Sequence, residues 1–231
     1  MNRTTLVMIA LLALAGTCTT AHAQSADDAI FCSGFESGGH GACASATLNE
    51  GFDDITTLAA DGWIMLNHSD PLGFSNWYQG DSETFVAQTG EINAYIAANF
   101  DNTAEDGGTL SNWLITPELA FSAQTTLSFY TRTDVSPTDF PDRLEVRLCL
   151  GASCTSVGTS ADDVGNFTTL IMTVNPTLSA SGYPATWTQY TVGGAEGIPS
   201  SGQGRIAFRY YVTESGPSKG DYIGIDSVSV H

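Results

Sequence analysis

Positive charge is what this sequence most conspicuously lacks. It holds 7 Lys and Arg against 25 Asp and Glu in 231 residues, a formal net charge of −18, and Lys219 is its only lysine. So acidic a surface repels phosphate backbones and anionic headgroups, which argues against nucleic acid as a partner and against membrane insertion. Histidine is scarce too: after His22 the chain has only His40, His68 and His231. No G-x-S-x-G elbow, H-E-x-x-H helix or P-loop occurs. His68, in Asn67-His68-Ser69-Asp70, stands where a general base would be sought, and reads better as a hydrogen-bonded loop residue. Long apolar runs are missing as well, since the stretch from Leu6 to Ala15 is too short to cross a bilayer.

That short run has another meaning. Arg3, the apolar stretch and Ala21-His22-Ala23 before Gln24 make a signal peptide over residues 1–23. The expectation is therefore an exported protein, extracellular or held in the periplasm or at the cell surface. Residues 24–47 are rich in Gly, Ser and Ala and read as a leader, broken by IFCSGFESGGHGAC. A single domain is expected over 48–231. Four cysteines follow the signal: Cys32, Cys43, Cys149 and Cys154. An even count in an exported chain reads as disulfides, and although four cysteines allow three connectivities, the local pairs Cys32–Cys43 and Cys149–Cys154 are the expectation.

From residue 48 onward, short runs alternate apolar and polar residues between Gly, Pro, Asn and Asp turns. Strands are expected over 85–89, 92–98, 113–116, 126–132, 144–150, 167–174, 187–192, 205–212 and 222–230. In the run from Thr126, Leu127, Phe129 and Thr131 share a face opposite Ser128, Tyr130 and Arg132. The runs Leu144-to-Leu150 and Ile206-to-Val212 alternate likewise, which implies sheets with one buried and one solvated face. The only helical candidate, residues 55–60, is stopped by Gly62. The expected fold is all-β, a jelly-roll β-sandwich of two antiparallel sheets.

Several pieces together carry a family resemblance: NEGFDDI at 49–55, DGWIMLNHSDP at 61–71, NWYQGDSETFVAQTG at 76–90, AYIAANF at 94–100, SNWLITPEL at 111–119, LSFYTRT at 127–133, PDRLEVRL at 141–148, VGNFTTL at 164–170, GRIAFRYYV at 204–212 and DYIGIDSVSV at 221–230. This ensemble resembles the choice-of-anchor J domain, which is related to the cleaved-adhesin and MAM-like jelly-roll modules of exported proteins. The resemblance implies structural Ca²⁺ near the first and last strands, with Glu50 matching the glutamate that opens the module and Asp226 the aspartate of its closing strand. Since Ca²⁺ takes six to eight oxygens, help is expected from Asp53, Asp54, Asn99 or Asp101, whose alternative is to be turn residues accepting backbone hydrogen bonds.

Aromatic residues offer a second chemistry. Trp63 and Trp113 lie in apolar runs and read as core, whereas Trp77 and Tyr78, between Asn76 and Gln79, are candidates for an exposed sugar-stacking pair. Arg205 and Arg209 share a strand face and either bind a carboxylate ligand or pair with acids on the sheet. The function these features favour is a non-catalytic, adhesin-like module binding a carbohydrate or a cell-surface protein. The alternatives are a glycan or peptide hydrolase using carboxylates and a structural envelope or matrix component.

Overall fold

The computed structural model describes residues 48–104, 107–135, 140–214 and 220–231. The expected signal peptide, leader and Cys32–Cys43 pair lie outside the described residues. Among these, twelve strands form: β1 Leu48–Glu50, β2 Ile64–Asn67, β3 Tyr78–Gln79, β4 Ile96–Asn99, β5 Leu110–Ile115, β6 Leu119–Ser122, β7 Leu127–Thr133, β8 Leu144–Leu150, β9 Thr169–Val174, β10 Thr188–Val192, β11 Ser201–Val212 and β12 Tyr222–Val230. No α-helix occurs among the described residues; 55–60, the helical candidate, is a succession of turns.

Each of the two antiparallel sheets is built on one long strand. In the first, β12 pairs with β7 on one side, while β4 and β1 tile its other side, β4 against residues 222–225 and β1 against 228–230. The order is β10-β7-β12-β4-β3. In the second, β11 pairs with β8 on one side and with β6 and then β5 on the other, in the order β2-β5-β11-β8-β9. The inward faces follow the period-two alternation: Leu127 and Phe129 from the first sheet meet Val146, Ile206 and Phe208 from the second, all buried. The Phe129 and Phe208 rings meet edge-on across the interior, 5.0 Å apart.

The outward faces depart from expectation. Both were expected to be solvated, yet Glu145, Cys149 and Arg209 are buried on the outer face of the second sheet. The segment from Gly151 to Phe167 folds back over that face, and Cys149 and Cys154 are joined as a disulfide at its root. Val157 and Phe167 pack there on Trp113, Ile115 and Ala207 as a second small core. Arg209 lies beneath, 1% exposed, donating to Glu145 Oε2 at 3.2 Å, to Ser111 Oγ at 3.1 Å and to Ala161 O. Its guanidinium also sits 3.6 Å from the centre of the Tyr211 ring. Arg209 therefore pairs with a sheet acid, and Arg205 binds the carbonyls of Gly62 and Thr116.

Residues 85–89 and 92–95 were expected as strands and form loop instead. Their backbone donors go elsewhere: the Gln88 and Thr89 amides are taken by Asp226, and Ala87 N by Ile92 O. Side-chain bonds at long sequence separation thus replace a ladder that local propensity alone would favour.

Candidate functional site

The closing strand divides the expected cation ligands into two groups. Glu50 stands opposite Val228, two residues beyond Asp226, whereas Asn99 stands opposite Tyr222 at the other end of β12. Four residues of strand, about 13 Å at some 3.3 Å per residue, separate Tyr222 from Asp226. Asn99 and Asp101 therefore do not join the Glu50 and Asp226 group, which corrects their expected role as helpers there.

At the Glu50 end, Asp226 is fully buried and its Oδ2 accepts from Gln88 N at 2.8 Å and Thr89 N at 3.3 Å. Glu50 Oε1 accepts from Phe52 N at 2.7 Å. A Cβ on Gly90 would lie 3.0 Å from Asp53 Oδ1, which puts that carboxylate beside the same 88–90 turn. Burial raises the pKa of both Glu50 and Asp226, and for Glu50 the neighbouring charges of Asp61 and Asp53 add to the effect. Ion pairs among the described residues involve only Glu145, so none of the described basic side chains pairs with these acids. Gln79 gathers two carbonyls of this region, Phe52 O at 2.8 Å and Asn93 O at 2.7 Å. No group of three His, Cys, Asp or Glu side chains converges as a metal site among the described residues. Asp54 is exposed and accepts from Thr56 N and Thr56 Oγ1, an Asx turn whose hydrogen bonds lower its pKa.

Trp77 and Tyr78 do not form an exposed pair. Trp77, the residue before β3, is 4% exposed and packs in the main core. Tyr78 points to the outer face of the first sheet and is half-buried against Tyr222. On that face Phe85 is enclosed by rings: Tyr95 stacks on it at 4.9 Å, Trp187 and Tyr222 meet it edge-on at 5.5 and 5.2 Å, and Arg132 covers it at 4.1 Å. Gly224 makes room, since a Cβ there would lie 2.9 Å from both Phe85 and Trp187. The loop carrying Phe85 thus roofs the first sheet.

Three of the large exposed apolar side chains gather at a loop rim that sequence reasoning missed. Leu72 is 62% exposed, Phe74 87% and Phe100 48%. They come from two segments bonded together: Leu72 bridges Thr103, Gly73 N donates to Asn102 O and Ser75 N to Asp101 O. Asn67 Nδ2 ties both, donating to Ser75 O at 2.8 Å and Asn102 O at 2.7 Å. Glycine is required at Gly73, where a Cβ would lie 2.1 Å from Asp101 O. The available signal was the pair Leu72 and Phe74 set between Pro71 and Ser75, apolar residues in a turn rather than in strand alternation.

Another buried acid to weigh for carboxylate catalysis is Asp142. It is 1% exposed, accepts from Thr133 Oγ1, from Tyr210 OH at 2.6 Å and from Asp221 N at 2.8 Å. Those bonds tie β7 and β11 to the residue that precedes β12, and give it a structural task.

No protein-family model matches the chain, and no curated protein sequence matches it. Solved structures do resemble it. The K1 cleaved adhesin domain of Lys-gingipain from Porphyromonas gingivalis W83 is 21% identical, with a TM-score of 0.51 over 80% of this chain and 96% of that one. TmCBM61 in complex with β-1,4-galactotriose is 10% identical, with a TM-score of 0.40 over 79% of this chain and 98% of that one, a likeness too distant to argue from. The first likeness bears on the fold alone, a β-sandwich of two antiparallel sheets, and no helix among the described residues is long and apolar enough to cross a membrane.

Proposed function

We propose that this chain is an exported, non-catalytic module that binds a carbohydrate or protein surface through the rim of Leu72, Phe74 and Phe100. The observation that carries this reading is the 87% exposure of Phe74 on a loop fixed by Asn67 and by pairing to residues 101–103. Apolar rings held out in water by a rigid loop recover their hydration cost only when something covers them, and a preorganised loop loses little entropy on binding. The net charge of −18 selects neutral or basic surfaces. The test is binding of the exported chain to a glycan array and to intact cells with and without protease treatment. Phe74→Ser is expected to weaken the retained ligand at least tenfold and leave the melting temperature unchanged; equal affinity of variant and parent overturns the reading.

In the same reading Ca²⁺ is a structural support where the first and last strands meet. Glu50, Asp53 and Asp226 would hold it: Asp226 accepts from the 88 and 89 amides, Asp53 lies beside Gly90 and repels the charge of Glu50, and among the described residues none of the three is in an ion pair. A cation there would relieve that repulsion and restrain the chain ends. EDTA is then expected to lower the melting temperature and added Ca²⁺ to restore it, and an unchanged temperature removes Ca²⁺ from the proposal.

A further inference from the structure

Phe74 stands out of the surface instead of lining a cleft: it is 87% exposed, against 62% for Leu72 and 48% for Phe100 beside it. Backbone bonds hold it there, from Gly73 N to Asn102 O at 3.0 Å and from Ser75 N to Asp101 O at 3.3 Å. Sites for small ligands are concave and enclose most of the ligand's surface. The rim is the reverse, a projection that its partner must enclose. A glycan chain lying across Phe74 stacks on one face of the ring and leaves the rest wet, whereas a packed protein offers pockets of the kind that receive aromatic anchors.

Polar side chains at the rim serve the fold. Asn67 Nδ2 holds Ser75 O and Asn102 O, Thr103 Oγ1 donates to Pro71 O at 2.9 Å, and Ser75 Oγ donates to Asn76 O at 3.2 Å. These donors are already taken, while a hydroxyl-rich ligand needs several that converge on it. Charge lies beside the apolar residues instead. Asp70 is exposed two residues before Leu72, and Asp101, half-buried, follows Phe100. The five arginines among the described residues are each engaged with other groups: Arg132 with Phe85, Arg143 with Tyr211, Arg147 and Arg209 with Glu145, and Arg205 with the carbonyls of Gly62 and Thr116. Neither rim acid is in an ion pair among the described residues.

We infer that the partner of the rim is a protein, which receives Phe74 in an apolar pocket bordered by Lys or Arg side chains that face Asp70 and Asp101. This rests on the reading of the rim as the binding surface and names its ligand class. Charges at such a border steer encounter and fix register, while the enclosed ring supplies most of the affinity.

Retention of the full exported chain on intact cells tests it, with the cells either shaved by protease or treated with periodate to open their surface sugars. Shaving is expected to abolish retention and periodate to leave it unchanged. Phe74→Trp is expected to weaken retention about tenfold, because a pocket fitted to a phenyl ring excludes the larger indole, whereas a sugar platform would gain from it. The double variant Asp70→Asn/Asp101→Asn should weaken it about tenfold at about 50 mM NaCl and less than about twofold at about 0.5 M, where surface charges are screened. Retention that survives shaving, is lost on periodate treatment, strengthens with Phe74→Trp or ignores both acids overturns the inference and leaves the rim as the binding surface. Absence of retention on cells overturns it as well. A Phe74→Ser chain that binds as the parent does removes the reading of the rim, and the inference with it.

Discussion

The two sheets close their outer faces by opposite means. Over the first, Phe85 is buried by stacked and edge-on aromatic rings, and the loop that carries it is tied down by backbone bonds to Asp226. Over the second, a disulfide-rooted segment buries a charged network in which Arg209 and Arg147 share Glu145. An apolar roof tolerates partial loss, because each ring contributes in proportion to the area it hides. A charged roof tolerates it badly, because removing one partner leaves the other buried and unpaired. Both roofs hide aromatic and charged side chains on the sheet faces, while Leu150 on β8 and Leu170 on β9 stay exposed.

Disruption of each roof should expose that asymmetry, and the largest effect is expected at Glu145. Glu145→Gln strips the neutralising charge from an Arg209 that is 1% exposed, and should cost about 4 kcal/mol in urea unfolding. A cost within about 0.5 kcal/mol would mean that Ser111, Ala161 and the Tyr211 ring suffice for Arg209. Phe85→Ala should cost about 3 kcal/mol, within the usual range for buried Phe truncation and reduced by its place near the surface. Hydrogen exchange should then rise at residues 85–95 and remain slow at 205–210; faster exchange in both would show that the roofs are coupled. Opening the Cys149–Cys154 bridge by serine substitution should cost about 2 kcal/mol, because the closed loop is short.

The smallest effect is on pH. Burial, with the charges of Asp142 and Asp134, pushes Asp221 up to about 6 from an ordinary 3.8. Its folded state holds the proton more tightly than the unfolded chain does. The associated stability is therefore complete below about 3.8 and is lost as pH rises through about 6. Asp221 is half exposed, so solvent screening reduces its contribution to about 1 kcal/mol. The melting temperature should climb modestly between pH 7 and pH 5, and Asp221→Asn should flatten that climb. A temperature that falls steadily over the same range would show that acids whose hydrogen bonds lower their pKa, such as Asp54 and Asp163, dominate instead.

Much of the scaffold could be read from residue order. Residues 144–150 and 222–230 are strands with the predicted ends, and 126–132 and 205–212 are strands within a few residues. Their alternation is dense enough that one face must be buried whatever lies above it. Short strands escaped notice: β3 has two residues and β1 three, too few to show a period. The candidate site was less legible. Trp77 looked exposed beside Asn76 and Gln79, but Trp77 N bonds Asn76 Oδ1 and the indole turns inward. Asp226 pointed correctly to the closing strand, though its observed partners, Gln88 and Thr89, lie 138 and 137 residues away.

The sequence by itself determined the all-β class, the alternation of the central strands and the acidity of the chain, because each can be read from residue order and composition, and it favoured the local Cys149–Cys154 pairing that the structure shows. Tertiary structure alone decided that Arg209 is core, that Phe85 roofs a sheet, that the expected cation ligands fall at two ends of β12, and that Phe74 rather than Trp77 faces water. Those outcomes depend on which loop covers which face. Burial is a property of the assembled surface, and contacts across a hundred residues leave no periodic trace in the order of the amino acids.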